Sequence, residues 1–215
     1  MTAYKLTNQD LTTYEGSQWP TPESGEWVET SGKGPLCSSG WLHFYTHPLL
    51  AVLLNPIHAD IHLPKLWEAE VSGQTLDDHG LKVGYTKARL VRELPLPEIT
   101  LTQRREFCIR CTLEVYYDKN FRAWADAWLC SKDRRDAASD AAARAAARAS
   151  IAAYAASDGD AVAAAYAAYA AARAALEIST PDYSAAYAAA YAAYAAARAA
   201  SINLIQLAEL SCGKL

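Results

Sequence analysis

The sequence has no apolar run long enough to cross a membrane and no hydrophobic segment at its amino terminus. Its alanine tracts are too weakly hydrophobic for a membrane span, and arginine and aspartate residues interrupt them. A chain without an apolar leader is expected to stay in the compartment where it is made. These absences predict a cytoplasmic protein that has no membrane partner.

An excess of basic residues is also missing. The formal net charge is −4, with 7 basic and 12 acidic side chains in residues 1–100, and 13 and 12 in residues 101–215. Proteins that bind nucleic acid through its phosphates usually carry a basic patch or stripe. The charge balance therefore counts against a nucleic-acid partner in either half of the chain.

The cysteines do not form the pattern of a disulfide framework, because the five residues are odd in number and widely spaced. Cys108 and Cys111 form a CxxC pair, but no second pair lies nearby to complete the four ligands of a zinc site. His58 and His62 have the spacing for chelation on a helix, yet they lie between prolines. We favour core thiols and solvent-facing loop histidines, with a metal site at these residues as the alternative, and we predict no cofactor.

Motifs of nucleotide binding and nucleophilic catalysis are absent, since there is no GxGxxG, P-loop or GxSxG pattern. His43 and Tyr45 cluster with His47 at the end of a predicted strand, where a satisfied core group is the simpler interpretation. The sequence therefore favours a protein that is not an enzyme, and it leaves catalysis open.

The first part of the chain has the composition of a folded α+β domain. All six tryptophans lie in it, and short apolar and aromatic segments are bounded by Gly, Pro and Ser. We predict strands at Tyr4–Leu6, Trp27–Val28, Gly40–Tyr45, Leu66–Val71 and Ala88–Leu94. We also predict a short helix from Pro48 to Leu54 that Asn55 and Pro56 end, a helix from an N-cap at Thr102 to Tyr117, and a helix with Phe121, Trp124 and Trp128 on one face.

After residue 135 the chain changes abruptly to a repeat, and more than half of residues 137–200 are alanine. Arg148, Arg173 and Arg198 follow one another at intervals of 25 residues, and tyrosines precede the last two at constant offsets. Alanine favours helix, and turn residues separate the segments. We therefore predict an α+β protein with a small mixed sheet and short helices in residues 1–135, then an alanine-rich antiparallel three-helix array in residues 136–215, with helices at 137–156, 160–177 and 181–210.

The tyrosines and arginines of the repeat form one stripe at helical spacing. The default interpretation is a bundle core in which each arginine reaches past its stem to water. The alternative is a protein-binding surface, because Tyr and Arg are enriched in binding hot spots. The residues of that surface are Tyr166, Tyr169, Arg173, Tyr191, Tyr194 and Arg198. Alanine-rich helices also pair between chains, so a homodimer is a further expectation.

One stretch resembles a known family. The segment from Gly34 to Val52 reads Gly-Pro-Leu-Cys-Ser-Ser-Gly-Trp-Leu-His-Phe-Tyr-Thr-His-Pro-Leu-Leu-Ala-Val. It is similar to an uncharacterised domain family of phage, prophage and bacterial proteins, in which alanine-rich repeats often follow the domain. Leu66–Gly73 and Lys82–Leu94 are similar as well, so the likeness covers residues 1–95. The resemblance implies a phage or other mobile-element protein and implies no activity.

The order of the predicted elements also resembles ADP-ribosyltransferase-like folds, an analogy at the level of the fold alone. Those enzymes use a His or Arg, a Tyr or Ser and a late acidic residue, which would correspond here to His43, Tyr45 and Glu93. The whole sequence favours a non-catalytic interaction protein that binds a host or phage protein in the host cytoplasm, with inhibition of a host defence complex as one such role. The alternatives are an enzyme acting on NAD and a purely structural scaffold.

Overall fold

A computed structural model describes residues 1–13, 16–130, 182–199 and 201–214, and in the helix at 182–199 it describes the side chains of residues 189–198. The chain divides into two compact units, Met1–Glu98 and Ile99–Leu215. Within the described ranges, no helix combines the length and the apolar composition that crossing a membrane requires. The described helices are numbered α1 to α5 in chain order.

The first unit is an antiparallel five-stranded sheet with one α-helix. Its elements are β1 (Thr2–Thr7), a 3-10 turn (Pro22–Ser24), β2 (Val28–Glu29), β3 (Leu42–Phe44), α1 (Pro48–His58), β4 (Lys65–Asp77) and β5 (Val83–Leu94). The strand order is β1-β4-β5, and both β2 and β3 pair with the other edge of β5. An isolated bridge between Tyr4 and Tyr45 joins the end of β3 back to β1, so the sheet closes on itself.

The closed sheet surrounds an aromatic core. Phe44 is fully buried, and its ring meets those of Trp19 and Tyr85 edge-on at centroid distances of 5.8 and 5.9 Å. Edge-on contact places the positive edge of one ring on the negative face of another. The other members of the core are Ala3, Trp67, Ala69, Val71, Val83, Ala88 and Leu90. The alternation of residues in the sequence predicts that Trp67, Ala69 and Val71 share one face of β4, and their place in the core confirms it.

Helix α1 is longer than predicted. The sequence predicts an end before Pro56, but the helix continues through this proline to His58. Pro56 is itself buried with the apolar residues before it, and the Ala59 N–H donates to the Asn55 carbonyl, so the helical hydrogen bonding resumes beyond the proline. Asn55 then fixes the exit of the chain, because its side-chain amide donates to the Ile61 carbonyl and accepts from the Ile61 N–H. Packing of α1 therefore overrides a local rule.

A β-bulge corrects a second prediction. The sequence predicts Leu90 and Arg92 on one face of their strand. A register shift instead sets Leu90 opposite Ala69 and Arg92 opposite Glu68, which leaves Val91 as the extra residue. Leu90 therefore faces the core, whereas Arg92 forms an ion pair with Glu68 at 2.6 Å on the outside. Both β4 and β5 also extend beyond their predicted limits.

The described helices of the second unit are α2 (Leu101–Val115), α3 (Lys119–Cys130), α4 (Asp182–Ala199) and α5 (Leu204–Cys212). Helix α2 packs against each of the other three. Thr100, rather than the predicted Thr102, caps α2 through a capping box with Gln103. In α3, the three aromatic residues predicted to share a face are all buried.

The predicted three-helix array falls only partly on described residues. The helices predicted at 137–156 and 160–177 lie outside them. The third, predicted at 181–210, is interrupted before α5, because Asn203 caps a new helix by accepting a hydrogen bond from a backbone N–H of its first turn. Helices α2 and α3, which the sequence places in residues 1–135, belong to the second unit, where α2 packs against the alanine-rich α4.

Candidate functional site

Helix α4 exposes tyrosine and buries alanine. Tyr191 and Tyr194 are 43% and 37% exposed, and Arg198 is exposed as well. The buried residues of the same segment are Ala189, Ala190, Ala192, Ala193, Ala195, Ala196 and Ala197. Spacings of three and four residues place the three exposed side chains in one row along the helix. We call Tyr191, Tyr194 and Arg198 the α4 row.

A contact within the α4 row orders two of its members. The guanidinium carbon of Arg198 lies 4.8 Å from the centre of the Tyr194 ring, a cation–π arrangement. Such stacking restrains long side chains before a partner arrives and so reduces the entropy lost on binding. The row thus combines two aromatic faces, two hydroxyls and a guanidinium, which are the groups that dominate many protein-binding hot spots.

The sequence allows two interpretations of the tyrosine–arginine stripe, and α4 distinguishes them for its own residues. A tyrosine-filled core is wrong for Tyr191 and Tyr194, because alanine occupies the buried positions. Small alanine side chains let helix backbones approach closely and leave no space for aromatic rings between them. Tyr166, Tyr169 and Arg173 lie outside the described residues. Binding of a protein by the exposed residues remains a prediction.

A second group of candidate residues lies at the end of β3. His43 and Tyr45 lie on the face opposite Phe44, because successive strand residues alternate. Tyr45 is buried and stacks on His58 at a centroid distance of 5.8 Å, and burial raises the pKa of its hydroxyl. His43 is half-buried, and its Nε2 donates to the Leu36 carbonyl. The structure thus brings His43 and Tyr45 together with His58.

The surroundings of both histidines in this group lower the pKa of their imidazoles. Burial lowers the pKa of His43, the bond to the Leu36 carbonyl opposes this, and the charges of Lys82 and Lys5 lower it further. Burial first, and then the charges of Lys82 and His43, lower the pKa of His58 to about 3. The buried Nδ1 of His58 has no hydrogen-bond partner. A lowered pKa makes an imidazole a weaker proton acceptor.

Glu93, the third candidate catalytic residue, lies elsewhere. His43 pairs with Gly84 near one end of β5, whereas Glu93 pairs with Trp67 near the other. Nine residues of strand separate the two pairing positions, which corresponds to roughly 25–30 Å at the usual rise. Glu93 forms a salt bridge with Lys65 at 3.3 Å. The three candidate residues therefore do not share one cleft.

The four candidate metal ligands are distributed over different surroundings. Cys108 and Cys111 are buried in α2 and form no disulfide, and burial raises the pKa of both thiols. His58 ends α1 and is half-buried against Tyr45, rather than facing solvent in a loop as predicted. His62 is exposed beyond the end of that helix, so the two histidines share no helical face. In the part of the chain that the structure describes, no three His, Cys, Asp or Glu side chains converge.

Lys5 is a notable residue that sequence reasoning missed. Its ammonium lies within the closed sheet, 4.6 Å from the centre of the Trp19 ring and 5.0 Å from that of Phe44. It donates to the His43 carbonyl at 3.0 Å, and burial lowers its pKa to about 7. The one sequence signal is its position on the buried face of β1, which a lysine rarely occupies. Because the rings enclose it and only 8% of the residue is exposed, Lys5 is not presented to a binding partner.

Comparison with known proteins bears on the first unit. Residues 1–102 match a domain of unknown function, DUF7666. The match covers the first unit and the start of the second, somewhat less than half of the chain. No curated protein and no solved structure matches the chain. The resemblance predicted for residues 1–95 is thus to a domain family without a known activity, and α4 lies outside the matched region.

Proposed function

We propose that the protein is a non-catalytic interaction protein and that the α4 row binds a partner protein. The observation that supports this proposal is the inverted arrangement of α4, with alanine buried and tyrosine exposed. Tyrosine has far more apolar area to bury than alanine, so its burial would be the larger source of stability. A helix that keeps its aromatic rings at the surface gains less for its own fold and leaves the rings accessible to a second molecule.

The chemistry of the α4 row indicates the kind of partner. Tyr191 and Tyr194 present flat apolar faces rimmed by hydroxyls, which suit the aliphatic side chains of a protein surface. Arg198 adds a guanidinium, a group that is enriched in protein-binding hot spots. Residues 101–215 carry nearly balanced charge, which gives little general attraction for nucleic acid. We therefore propose a protein partner that presents an apolar patch to the two tyrosine rings.

The biological setting belongs to the same proposal. The resemblance in the first unit favours a protein of a phage or other mobile element that acts on a host protein in the host cytoplasm. Inhibition of a host defence complex is one role of this kind. A second copy of the chain is the alternative partner, and a structural scaffold is the function that is left if neither partner binds.

The test compares the full chain with a variant that carries Tyr191→Ser, Tyr194→Ser and Arg198→Gln. Both are used to capture proteins from host lysate, and the captured protein is identified by mass spectrometry and purified. We expect its Kd to rise at least about tenfold in the variant, since one hot-spot residue alone contributes that much. Tyr117→Ser is the matched control, because Tyr117 is 72% exposed and lies 4.9 Å from the guanidinium of Arg122.

The outcomes separate the three functions. Loss of binding in the α4 variant with normal binding in the Tyr117→Ser control supports the proposal. Equal binding by both variants contradicts it. Light scattering over a range of concentrations detects self-association, and a dimer that the α4 variant abolishes assigns the row to a second copy of the chain.

The enzyme alternative has less support from the geometry. Its acidic candidate, Glu93, lies far along the sheet from His43 and Tyr45, and His43 has a lowered pKa through burial. We expect no NAD turnover by the full chain. Turnover that His43→Ala abolishes while the melting temperature stays unchanged would favour the enzyme over the interaction protein.

A further inference from the structure

The ring of paired strands in the first unit has a weak junction where β1 meets β3, which we call the β1–β3 seam. Around the ring, β1 pairs with β4 over six residues, β4 with β5 over ten, and β5 with β3 over three. The seam consists of a single bridge. In it, the Tyr4 N–H donates to the Tyr45 carbonyl at 2.9 Å and the Tyr45 N–H donates to the Tyr4 carbonyl at 2.8 Å. The closed sheet is therefore held by the fewest backbone pairs at this junction.

The side chain of Lys5 adds a third hydrogen bond across the β1–β3 seam. Lys5 follows Tyr4 in β1, and its Nζ donates to the carbonyl of His43 in β3 at 3.0 Å. The amine reaches this carbonyl from the interior of the sheet, beside the rings of Trp19 and Phe44. The bond is shielded from water while the seam is closed, because Lys5 is buried. Unlike the two backbone bonds, this contact is made by a group whose charge can change.

Two physical rules link the weak junction to the enclosed lysine. Local openings of a fold occur where few contacts hold it, and an apolar interior accepts a neutral amine far more readily than an ammonium. We propose that the sheet opens locally at the β1–β3 seam and that Lys5 is the latch that couples this opening to the uptake of a proton. In the open form, water reaches the amine, which takes its proton from the solvent. Opening also frees the edge of β1, which the closed sheet conceals.

The direction of the coupling follows from the surroundings of the amine. Burial lowers the pKa of Lys5 from 10.5 to about 7 in the closed form, and hydration in the open form returns the pKa towards its ordinary value. Between these two values, the open form binds a proton that the closed form lacks, so the open population rises as the pH falls. Each unit of pH changes this population by up to about tenfold. Below pH 7 both forms carry the proton, and the dependence on Lys5 ends.

Few other titratable groups lie around Lys5. The apolar core beside it contains one, Tyr85 of β5, and burial first, and then the charge of Asp77, raise the pKa of that hydroxyl. On β3, burial first, and then the charges of Lys82 and Lys5, lower the pKa of His43. These shifts move both titrations away from the range between pH 7.5 and 9.5. Burial is the cause of the shift at Lys5 itself, so the latch titrates through its enclosure.

The first test measures amide hydrogen exchange of the full chain by NMR and compares neighbours within one strand. The Tyr4 N–H points to β3, so the N–H groups of Ala3 and Lys5 point to β4, because successive residues of a strand direct these groups to opposite edges. We expect the protection factors of Tyr4 and Tyr45 to be at least about tenfold lower than those of Ala3 and Lys5. Equal protection at the four amides would overturn the proposal, since the seam would then open only with the whole unit. This comparison requires no substitution.

The second test follows the protection factor of Tyr4 from pH 9.5 to 7.5, which removes the intrinsic effect of pH on exchange. We expect it to fall by up to about tenfold per unit as the pH falls, and a constant value would overturn the coupling. Lys5→Met should abolish the fall, whereas Lys87→Met, which removes an exposed lysine paired with Glu29, should retain it. The amino-terminal ammonium of Met1 is common to all three chains, so their difference isolates Lys5.

The variants assign the latch to one side chain. An equal fall in Lys5→Met and in the parent chain would overturn the role of Lys5. Loss of the fall in Lys87→Met would show that any lysine of the sheet has this effect, which would overturn the specific contact with the His43 carbonyl. The comparison of Tyr4 with its neighbours in the parent chain tests the opening even if Lys5→Met does not fold.

Discussion

The closed sheet keeps its aromatic side chains in its interior, whereas helix α4 keeps its described tyrosines at the surface. In the first unit, Trp19, Phe44 and Tyr85 fill the interior, and even a lysine is enclosed with them. In α4, alanine fills the interior and tyrosine lies outside. An aromatic ring inside a fold contributes through the apolar area it buries. A ring at the surface buries less area in its own fold, which is why we propose a binding role for the α4 row.

The same contrast occurs within the second unit, which separates it from a general property of helices. Helix α3 buries its three aromatic residues, whereas the described tyrosines of α4 are exposed. Both helices follow the spacing of three and four residues. Periodicity therefore identifies the stripe on each helix, but only packing decides whether the stripe faces the core or the solvent.

The largest effect is expected where an aromatic ring is most enclosed. Phe44→Ala removes a fully buried ring and its edge-on contacts, so we expect the free energy of unfolding to fall by about 3–5 kcal/mol. Tyr191→Ala on α4 should change it by no more than about 0.5 kcal/mol. Urea unfolding measures both. Similar losses for the two variants would contradict the prediction that the buried ring stabilises the fold more than the exposed ring.

The dependence of stability on pH tests whether the Lys5 ammonium is buried inside the sheet. Burial lowers its pKa to about 7 from 10.5, so between these values the unfolded chain binds the proton and the folded chain does not. Stability should therefore rise with pH across this window, by up to about 1.4 kcal/mol per unit, and should not change further below pH 7 on account of Lys5. Lys5→Met should remove this rise. Urea unfolding at pH 7.5, 8.5 and 9.5 gives the slope of the unfolding free energy against pH for the parent chain and for Lys5→Met. Equal slopes would show that burial does not lower the pKa of Lys5.

Helix α4 can be tested by making its inner face larger. Ala193 is fully buried, so Ala193→Leu inserts three carbons into a packed space and should lower the free energy of unfolding by about 1–3 kcal/mol. Tyr191→Leu places the same side chain on the outer face and should have an effect below about 0.5 kcal/mol. Tolerance of leucine at both positions would mean that alanine is not required inside.

The sequence predicts elements of the sheet better than it predicts their ends. The strands around Tyr4 and Phe44 follow from local composition, and the structure confirms them. The continuation of α1 through Pro56 accompanies the burial of the proline itself, which occurs only in the folded unit. The bulge near Val91 depends on pairing with β4. Local alternation carries no information on either, because both result from tertiary contacts.

Some features of the candidate sites could likewise be predicted from the sequence, and others could not. His43 and Tyr45 are close in sequence, so their proximity could be predicted, and the spacing of Tyr191 and Tyr194 indicates one row. The stacking of Tyr45 on His58 could not be predicted, since it joins the end of a strand to the end of a helix that only the folded unit brings together. The exposure of the α4 row could not be predicted either, because alanine and tyrosine both occur at positions compatible with a helix core.

The smallest effect concerns a buried polar contact of the sheet. The indole N–H of Trp67 donates to the Thr7 hydroxyl at 2.9 Å, and that hydroxyl donates in turn to the Asn8 carbonyl. Trp67→Phe removes the donor and part of the ring, so we expect a loss of about 1–2 kcal/mol, of which the hydrogen bond accounts for roughly 1 kcal/mol. Adding Thr7→Val to Trp67→Phe should cost less than the sum of the two single losses, because the contact can be lost only once. Additive losses in this double-mutant cycle, measured by urea unfolding, would show that the two side chains act independently. Trp67 would then stabilise the sheet through the packing of its ring and not through this hydrogen bond. The contrast with α4 would rest on whether an aromatic ring is buried or exposed.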